Sequence, residues 1–198
     1  CLVSGKARMC ITGSHSAKNG SRAAISLADL GFDYVKPLLP PTVSVSGAIS
    51  GQIHARQPAS GHPDVNVHLA TTAGHVQVKN PDGKSVDVLS LQPGKIDANL
   101  HDRKLSTQVD LPFQQGGVHA RVTVAGGKAG LMDRPLSGQL RFDLAKLGSI
   151  DQFSPQVGDI SGQLHGDVNL SGQIAQPAIH GRLNLDIPKL FLIKPGLR

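Results

Sequence analysis

The chain has 198 residues, with 20 Lys or Arg against 14 Asp or Glu, so its formal net charge is +6. Charged residues make up 17 % of the chain, which is too few for a disordered polypeptide, and the basic excess is too mild to indicate nucleic-acid binding. Only 3 % of the residues are aromatic, which excludes a ring-lined surface for stacking bases, while 23 Gly and 13 Pro favour many short strands joined by turns.

The N-terminal residues indicate a segment of a longer protein. The chain begins at Cys1 rather than Met, and no stretch reaches the run of about 18 apolar residues that a membrane helix needs. A mature lipoprotein also begins with Cys, but no polar tether follows here. Cys1 and Cys10 could pair across a bend in an oxidising compartment, although they have opposite parities in an apparent strand, so their state stays open.

Two short helices and roughly a dozen strands are predicted along the chain. The first helix covers Ser26–Leu39, where apolar residues recur at roughly helical spacing before two prolines. Period-two alternation then runs from Val43 to Arg56. Shorter alternating runs follow at Val65–Leu69, Val76–Val78, Ile96–Leu100, Leu105–Phe113, Val118–Val124 and Leu136–Leu144.

The last third of the chain repeats this order. A second helix is predicted over Asp143–Phe153, and strict alternation returns in Ile160–Leu170 and Ile179–Ile187. We therefore predict an internal repeat of about 115 residues, roughly 22–80 and 140–195, with intervening strands at 81–139. Residues 1–198 are expected to form one continuous β-trough segment.

The apolar faces of the predicted strands must be covered by something, because two short helices are too small to cover a dozen amphipathic strands. The sheet must fold on itself, pair with another layer or shelter an apolar ligand. We predict a mainly β fold, an elongated and strongly curved open sheet shaped like a trough, with an apolar concave face. Glycines at dry positions permit such coiling; they are Gly47, Gly51, Gly162, Gly166 and Gly181.

Several short phrases together resemble one protein family. They are Ser26–Leu30, Leu38–Pro40, Val45–Gly51, Leu136–Leu140, Asp159–Leu164 and, most diagnostic, Leu-Ser-Gly-x-Ile-x-x-Pro-x-Ile-x-Gly at Leu170–Gly181. The chain resembles the TamB family of translocation and assembly module proteins, within the AsmA-like group, over most of Arg22–Gly196.

This resemblance implies a very long periplasmic protein of Gram-negative envelopes, anchored in the inner membrane by a segment outside this chain. It implies an open β-sheet tube with an apolar interior, phospholipid movement between the membranes, and a link to outer-membrane protein assembly. The implied partners are phospholipid acyl chains and the TamA-type outer-membrane barrel, with contact between this piece and the barrel left open.

The periodicity and the resemblance together predict a lipid groove, since each methylene removed from water contributes about 0.8 kcal/mol. A closed sandwich of the same residues is the alternative. The predicted lining is Val45, Ile49, Ile53, Ile160, Leu164, Val168, Leu170, Ile179, Leu183, Leu185 and Ile187.

An enzymatic role finds little support in the sequence. It contains no complete phosphate-binding loop, nucleophile elbow or metalloprotease helix, so we predict no catalytic residue, no cofactor and no metal site. His54, His101, His165 and His180 lie on polar strand positions without a Cys or carboxylate at ligand spacing. The Lys and Arg residues are spread along the chain, which favours a generally solvated surface over a dedicated headgroup patch.

Two other roles compete with the lipid conduit. A protein-interaction scaffold would pair its sheet edges with strands of nascent outer-membrane proteins or autotransporters. A secreted β-helical adhesin would fill its interior with its own side chains, but a repeat of about 115 residues with intervening helices argues against it.

Overall fold

The computed structural model describes residues 1–32, 37, 39–80, 83–145 and 157–192, and the side chains of residues 157–161 and 189–192 lie outside the description. Fourteen strands form one open antiparallel sheet. They are β1 Leu2–Ser4, β2 Ala7–Ser16, β3 Gly20–Gly31, β4 Val43–Val45, β5 Ala48–Gln57, β6 Asp64–Thr71, β7 Gly74–Lys79, β8 Ser85–Leu91, β9 Lys95–His101, β10 Lys104–Phe113, β11 Gly116–Val124, β12 Leu136–Leu144, β13 Val157–Gly172 and β14 Pro177–Leu192. A single-turn 3-10 helix covers Leu131–Asp133.

The sheet is a meander with one fork. Its main path runs β1-β2-β3-β5-β6-β9-β10-β11-β12-β13-β14, and every pairing along it is antiparallel. The strands β4, β7 and β8 leave this path and pair with one another, and β8 returns to the main path only where Leu91 faces Phe113. The fold-class prediction of a mainly β open sheet is confirmed.

The fork begins at three breaks in strand structure, each of which separates two strands that follow one another in the chain. The interruptions fall between β4 and β5, between β6 and β7, and between β8 and β9. Buried Thr71 joins two of them, because the Gly94 amide donates to its hydroxyl at 2.9 Å and its own amide donates to the Gly94 carbonyl at 2.9 Å. Polar backbone groups at the break are therefore satisfied inside the sheet rather than left unpaired.

The pairing register aligns aliphatic residues across the whole sheet. One row, from β3 to β13, consists of Leu27, Gly51, Leu69, Ile96, Val109, Ala120, Leu140 and Val168. The neighbouring positions form polar rows, of which one consists of His68, Asp97, Gln108, Arg121, Gln139, Asn169 and His180. We call these two sets the aliphatic rows and the polar rows; they alternate because successive strand residues point to opposite sides.

No second layer lies over the aliphatic rows within the part of the chain that the structure describes. Val124 is the one buried hydrophobic residue there, with 7 % of its surface exposed. The accessible surface is 13375 Å², against about 8,900 Å² for a compact monomer of this length. The chain buries its apolar side chains mainly against neighbouring strands.

The first predicted helix, Ser26–Leu39, is wrong over Ser26–Gly31, whereas Phe32 and Pro37 have 3-10 helical backbone. Ser26–Gly31 forms the end of β3, paired with β5. Leu27 faces Gly51 and Leu30 faces Ile49, so three residues of β3 oppose two of β5, and Asp29 takes a positive φ of 50° in this bulge. A bulge places residues three apart on one side of a strand, which imitates helical spacing. Residues 33–36 and 38 lie outside the description.

Most of the second predicted helix, Asp143–Phe153, lies outside the described residues. Asp143 and Leu144 end β12, and residues 146–153 lie outside the description. The predicted internal repeat stays a prediction.

Cys1 and Cys10 form a disulfide. The parity argument misled because the first residues form two strands rather than one. Leu2 faces Met9 and Val3 faces Arg8 in the β1–β2 hairpin, so residues of opposite parity stand opposite each other, and this register carries Cys1 to Cys10.

Candidate functional site

The predicted lining residues of β13 and β14 stand in cross-strand pairs. Leu164 lies between Leu144 and Leu185, and Leu170 faces Ile179. Val168 faces Leu140 on one side and Gly181 on the other. The Leu164, Val168 and Leu170 side chains of β13 are half-buried, whereas Ile179 and Leu183 are each 64 % exposed and Leu185 is 56 % exposed. Ile187 continues β14, and the Ile160 backbone pairs with Leu190.

The lining residues predicted near the N-terminus lie on β4 and β5, and β5 is six strands from β13 along the main path. Of these residues, Ile53 shares a cross-strand row with the C-terminal lining residues. Ile49 stands between Leu30 and Thr71, while Val45, on the fork, faces Val76. Ile53 belongs to a row that crosses the sheet from β2 to β14 and consists of Ile11, Ile25, Ile53, Val67, Ala98, Thr107, Val122, Gly138, Leu170 and Ile179.

The intervening residues of these rows were missed as lining candidates. Val67, Ile96, Val109, Val122 and Leu140 connect the N-terminal set to the C-terminal set. Their own short alternating runs carried the signal, since any half-buried strand in one sheet must contribute to the same side.

The five predicted glycines lie on or beside strands of the sheet. At four of them, Gly47, Gly51, Gly166 and Gly181, an added Cβ would come within 3.0 Å of another atom, which is a side-chain ring at Gly47 and Gly166 and the neighbouring strand's backbone at Gly51 and Gly181. Gly166 faces Phe142, and a Cβ at Gly166 would overlap the Phe142 ring, so the ring lies across the glycine backbone. Gly47 has a φ of +118°, and its added Cβ would lie 2.9 Å from the Phe32 ring. Gly51 and Gly162 lie within β5 and β13, and Gly181 lies within β14. Their role in curvature stays a prediction.

The polar rows carry histidine–carboxylate pairs that the sequence analysis did not anticipate. His68–Asp97, His101–Asp64, His119–Asp110 and His165–Asp143 join Nδ1 to a carboxylate oxygen across neighbouring strands, at 2.6–2.9 Å. The expectation that His101 and His165 lack a carboxylate partner was wrong, because each partner belongs to an adjacent strand. These pairs are solvent-exposed, so each contributes only up to about 1 kcal/mol.

Cross-strand neighbours lower the pKa of the Asp167 carboxyl. Hydrogen bonds from the Gln139 amide and the Arg141 guanidinium lower the pKa of this carboxyl, outweighing a small opposing desolvation. The Arg141 Nε lies 3.1 Å from Asp167 Oδ2. The arrangement is a cross-strand ion pair, since Arg141 and Asp167 face each other in β12 and β13.

Shallow depressions open on the polar rows. One of about 690 Å³ has Arg22, Arg56, Asp64 and His101 in its lining, and one of about 750 Å³ has Arg141, Asp167 and Arg182. Within the described ranges, no three His, Cys, Asp or Glu side chains are grouped closely enough to hold a metal ion. No helix in the same part of the chain is long and apolar enough to cross a bilayer.

The chain matches the model of a known protein family. No solved structure matches the chain. The family model described as "TamB, N-terminal domain" matches residues 1–185, which is nearly the whole chain. The chain, an open antiparallel sheet with aliphatic and polar rows, therefore belongs to the TamB family.

Proposed function

We propose that this domain is a segment of a periplasmic β-sheet conduit that shelters phospholipid acyl chains on their way between the inner and outer membranes. The observation that carries the proposal is the set of aliphatic rows, which cross the sheet from β3 to β14 with no described layer over them. In this proposal the sheet curves into a trough, and the aliphatic rows form its concave lining.

The exposure of the rows supports an apolar occupant. Apolar surface left in water costs about 25 cal/mol per Å², so an uncovered row gains free energy from any hydrocarbon laid along it. Acyl chains fit because they are long, flexible and apolar throughout, and conduction along such a surface requires no catalytic group or cofactor. The polar rows on the other side remain in water.

Native mass spectrometry of the periplasmically expressed chain, followed by lipid extraction, tests the proposal. We expect co-purifying phospholipid that is lost in Leu183→Asp, because a charge in the trough cannot be desolvated without a partner. Leu183 is 64 % exposed, so this variant should fold. Leu164→Asp tests the same trough from the half-buried strand β13.

Matched controls come from the other side of the same strands. Gln163→Asp and Asn184→Asp add the same carboxylate one residue away, at exposed positions of the polar rows. Both should retain phospholipid. A folded wild-type chain that carries no lipid and takes up none from added phospholipid would contradict the conduit.

Strand capture is the second candidate function, and one observation favours it. The 16-residue strand β14 is the last strand of the main path, so one of its backbone edges has no partner among the described residues. An extended segment of a nascent outer-membrane protein could add to this edge by antiparallel pairing. Crosslinking from a photoreactive residue at His180 would recover peptide rather than lipid in this case.

The wider setting follows from the proposed conduit. The chain would act in the periplasm as part of a protein anchored in the inner membrane by a segment outside this chain. Its partner at the far end would be a TamA-type outer-membrane barrel, which links lipid movement to outer-membrane protein assembly. Co-purification of the full-length protein with that barrel, from cells carrying wild-type or Leu183→Asp chains, tests this setting.

A further inference from the structure

One border of the sheet collects basic residues that lie far apart in the sequence. This border, which we call the basic rim, comprises the five connections β2–β3, β5–β6, β9–β10, β11–β12 and β13–β14 with the strand residues beside them. Seven Lys or Arg residues lie there against three aspartates: Lys18, Arg22, Arg56, Arg103, Lys104, Lys128 and Arg134 against Asp64, Asp102 and Asp133. The expectation of evenly spread cations therefore does not hold at this rim.

The arginines at the centre of the rim bind neutral groups. Arg103 donates to His62 Nδ1 at 3.1 Å and to the Gly127 carbonyl at 3.1 Å. Arg134 donates to the Arg103 carbonyl at 2.9 Å and to the Ala129 carbonyl at 3.3 Å. No described carboxylate lies within ion-pair distance of either guanidinium, so the charge is held in place without being neutralised.

Two large apolar side chains project from the same rim. Leu131 is 60 % exposed and Met132 is 59 % exposed, both on the 3-10 helix of the β11–β12 connection. Their backbone is fixed, because Ala175 donates to the Met132 carbonyl at 2.9 Å and Ile174 donates to the Arg134 carbonyl at 3.2 Å. The fold thus presents an apolar pair with Lys128 and Arg134 beside it.

We propose that the β11–β12 connection docks the domain on the surface of an anionic phospholipid bilayer. Leu131 and Met132 enter the boundary between headgroups and acyl chains, while Lys104 and Lys128 contact lipid phosphates. Apolar side chains flanked by cations are suited to such an interface, since burial of the former adds to attraction of the latter. An acidic polymer in water would gain nothing from the exposed leucine and methionine.

Co-sedimentation of the chain with lipid vesicles tests the docking. We expect binding to vesicles of phosphatidylcholine with one quarter phosphatidylglycerol, and much weaker binding to pure phosphatidylcholine. Leu131→Ser combined with Met132→Ser should lower the vesicle affinity at least tenfold. Lys104→Glu combined with Lys128→Glu should lower it by roughly fivefold for each lysine removed, and 0.5 M salt should have a similar effect.

Matched controls distinguish vesicle binding through the basic rim from non-specific binding through other exposed apolar or basic residues. Leu2→Ser with Val3→Ser removes an adjacent apolar pair that is 68 % and 64 % exposed on β1, and Lys79→Glu with Lys84→Glu reverses two cations on the fork. Both should retain vesicle binding. Equal loss in a control pair, unchanged binding after the Leu131 and Met132 substitutions, or preference for a DNA oligonucleotide over the vesicles would overturn the proposal.

Docking and conduction are independent in this design. The Leu131 and Met132 double variant should still carry phospholipid in native mass spectrometry. Leu183→Asp should still sediment with anionic vesicles although it has lost its bound lipid. A negative result in the vesicle experiment would therefore overturn the docking proposal without affecting the conduit proposal, and a negative result in native mass spectrometry would do the reverse.

Discussion

Strands β13 and β14 have the same length and the same alternating pattern, yet their aliphatic residues differ in exposure. Leu164, Val168 and Leu170 of β13 are half-buried, whereas Ile179 and Leu183 of β14 are 64 % exposed. The difference arises because β13 has a strand on each side and β14 has one on a single side. Burial in this domain therefore depends on neighbouring strands within the sheet.

The comparison extends to the strand with the most protected aliphatic residue. Val124 of β11 stands between Leu105 and Leu136, and it alone among the described hydrophobic residues is buried. A strand added beside β14 would bring its aliphatic residues towards the half-buried state of those on β13.

The largest difference in stability between an interior strand and the edge strand β14 should be seen when a carboxylate replaces an aliphatic residue in each. We expect Val124→Asp to lower the free energy of unfolding by about 3 kcal/mol or more, because the carboxylate would lose water without gaining a partner. Leu183→Asp should cost less than about 1 kcal/mol, since its site remains in water. Urea denaturation followed by circular dichroism measures both. Equal losses would break the comparison.

A smaller loss of stability is expected at Gly166 of β13, where the Phe142 ring lies across the glycine backbone. Gly166→Ala should destabilise the domain by about 1–3 kcal/mol, because its Cβ would overlap the Phe142 ring. In Phe142→Leu the ring is gone, so the added methyl group should be tolerated better. A double-mutant cycle should show a coupling of about 1 kcal/mol. Additive losses would contradict the contact.

The ion pair between Arg141 of β12 and Asp167 of β13 should make the stability of the domain depend on pH. The pKa of Asp167 is lowered in the folded state by Gln139 and Arg141, so its contribution is present above the unfolded pKa of about 4 and is lost as pH falls through the folded pKa. Asp167→Asn should therefore reduce stability at pH 7 and have progressively less effect below pH 4. Urea midpoints across that range measure this, and a pH-independent loss would argue against the ion pair.

The smallest effect is expected for the exposed histidine–carboxylate pairs. His119→Gln should change the free energy of unfolding by less than about 0.5 kcal/mol at pH 7, because its pair with Asp110 is in water. His15→Gln, on β2, is the matched control, because the His15 ring contacts the Ser21 hydroxyl rather than a carboxylate. A loss above about 1 kcal/mol for His119→Gln would show that the polar rows contribute to stability.

Much of this fold was predictable where the pattern is local. The alternation in Ile160–Leu170 and Ile179–Ile187 predicted β13 and β14, and the same rule placed Ile49 and Ile53 on one side of β5. The predicted helix at Ser26 failed because a bulge at Asp29 brings Leu27 and Leu30 to one side of a strand. A bulge depends on the partner strand, so no local pattern distinguishes it from a helical turn.

The sequence by itself determined the chemistry of each strand, namely which residues are aliphatic, which are polar and at which parity they alternate. The tertiary structure alone decided which strands are neighbours, and with them the fork at β4, β7 and β8, the cross-strand His–Asp pairs, the disulfide and the basic rim. The reason is physical. Side-chain direction in a strand repeats every two residues along the chain, whereas pairing joins residues that are remote in sequence and depends on the register of the whole sheet.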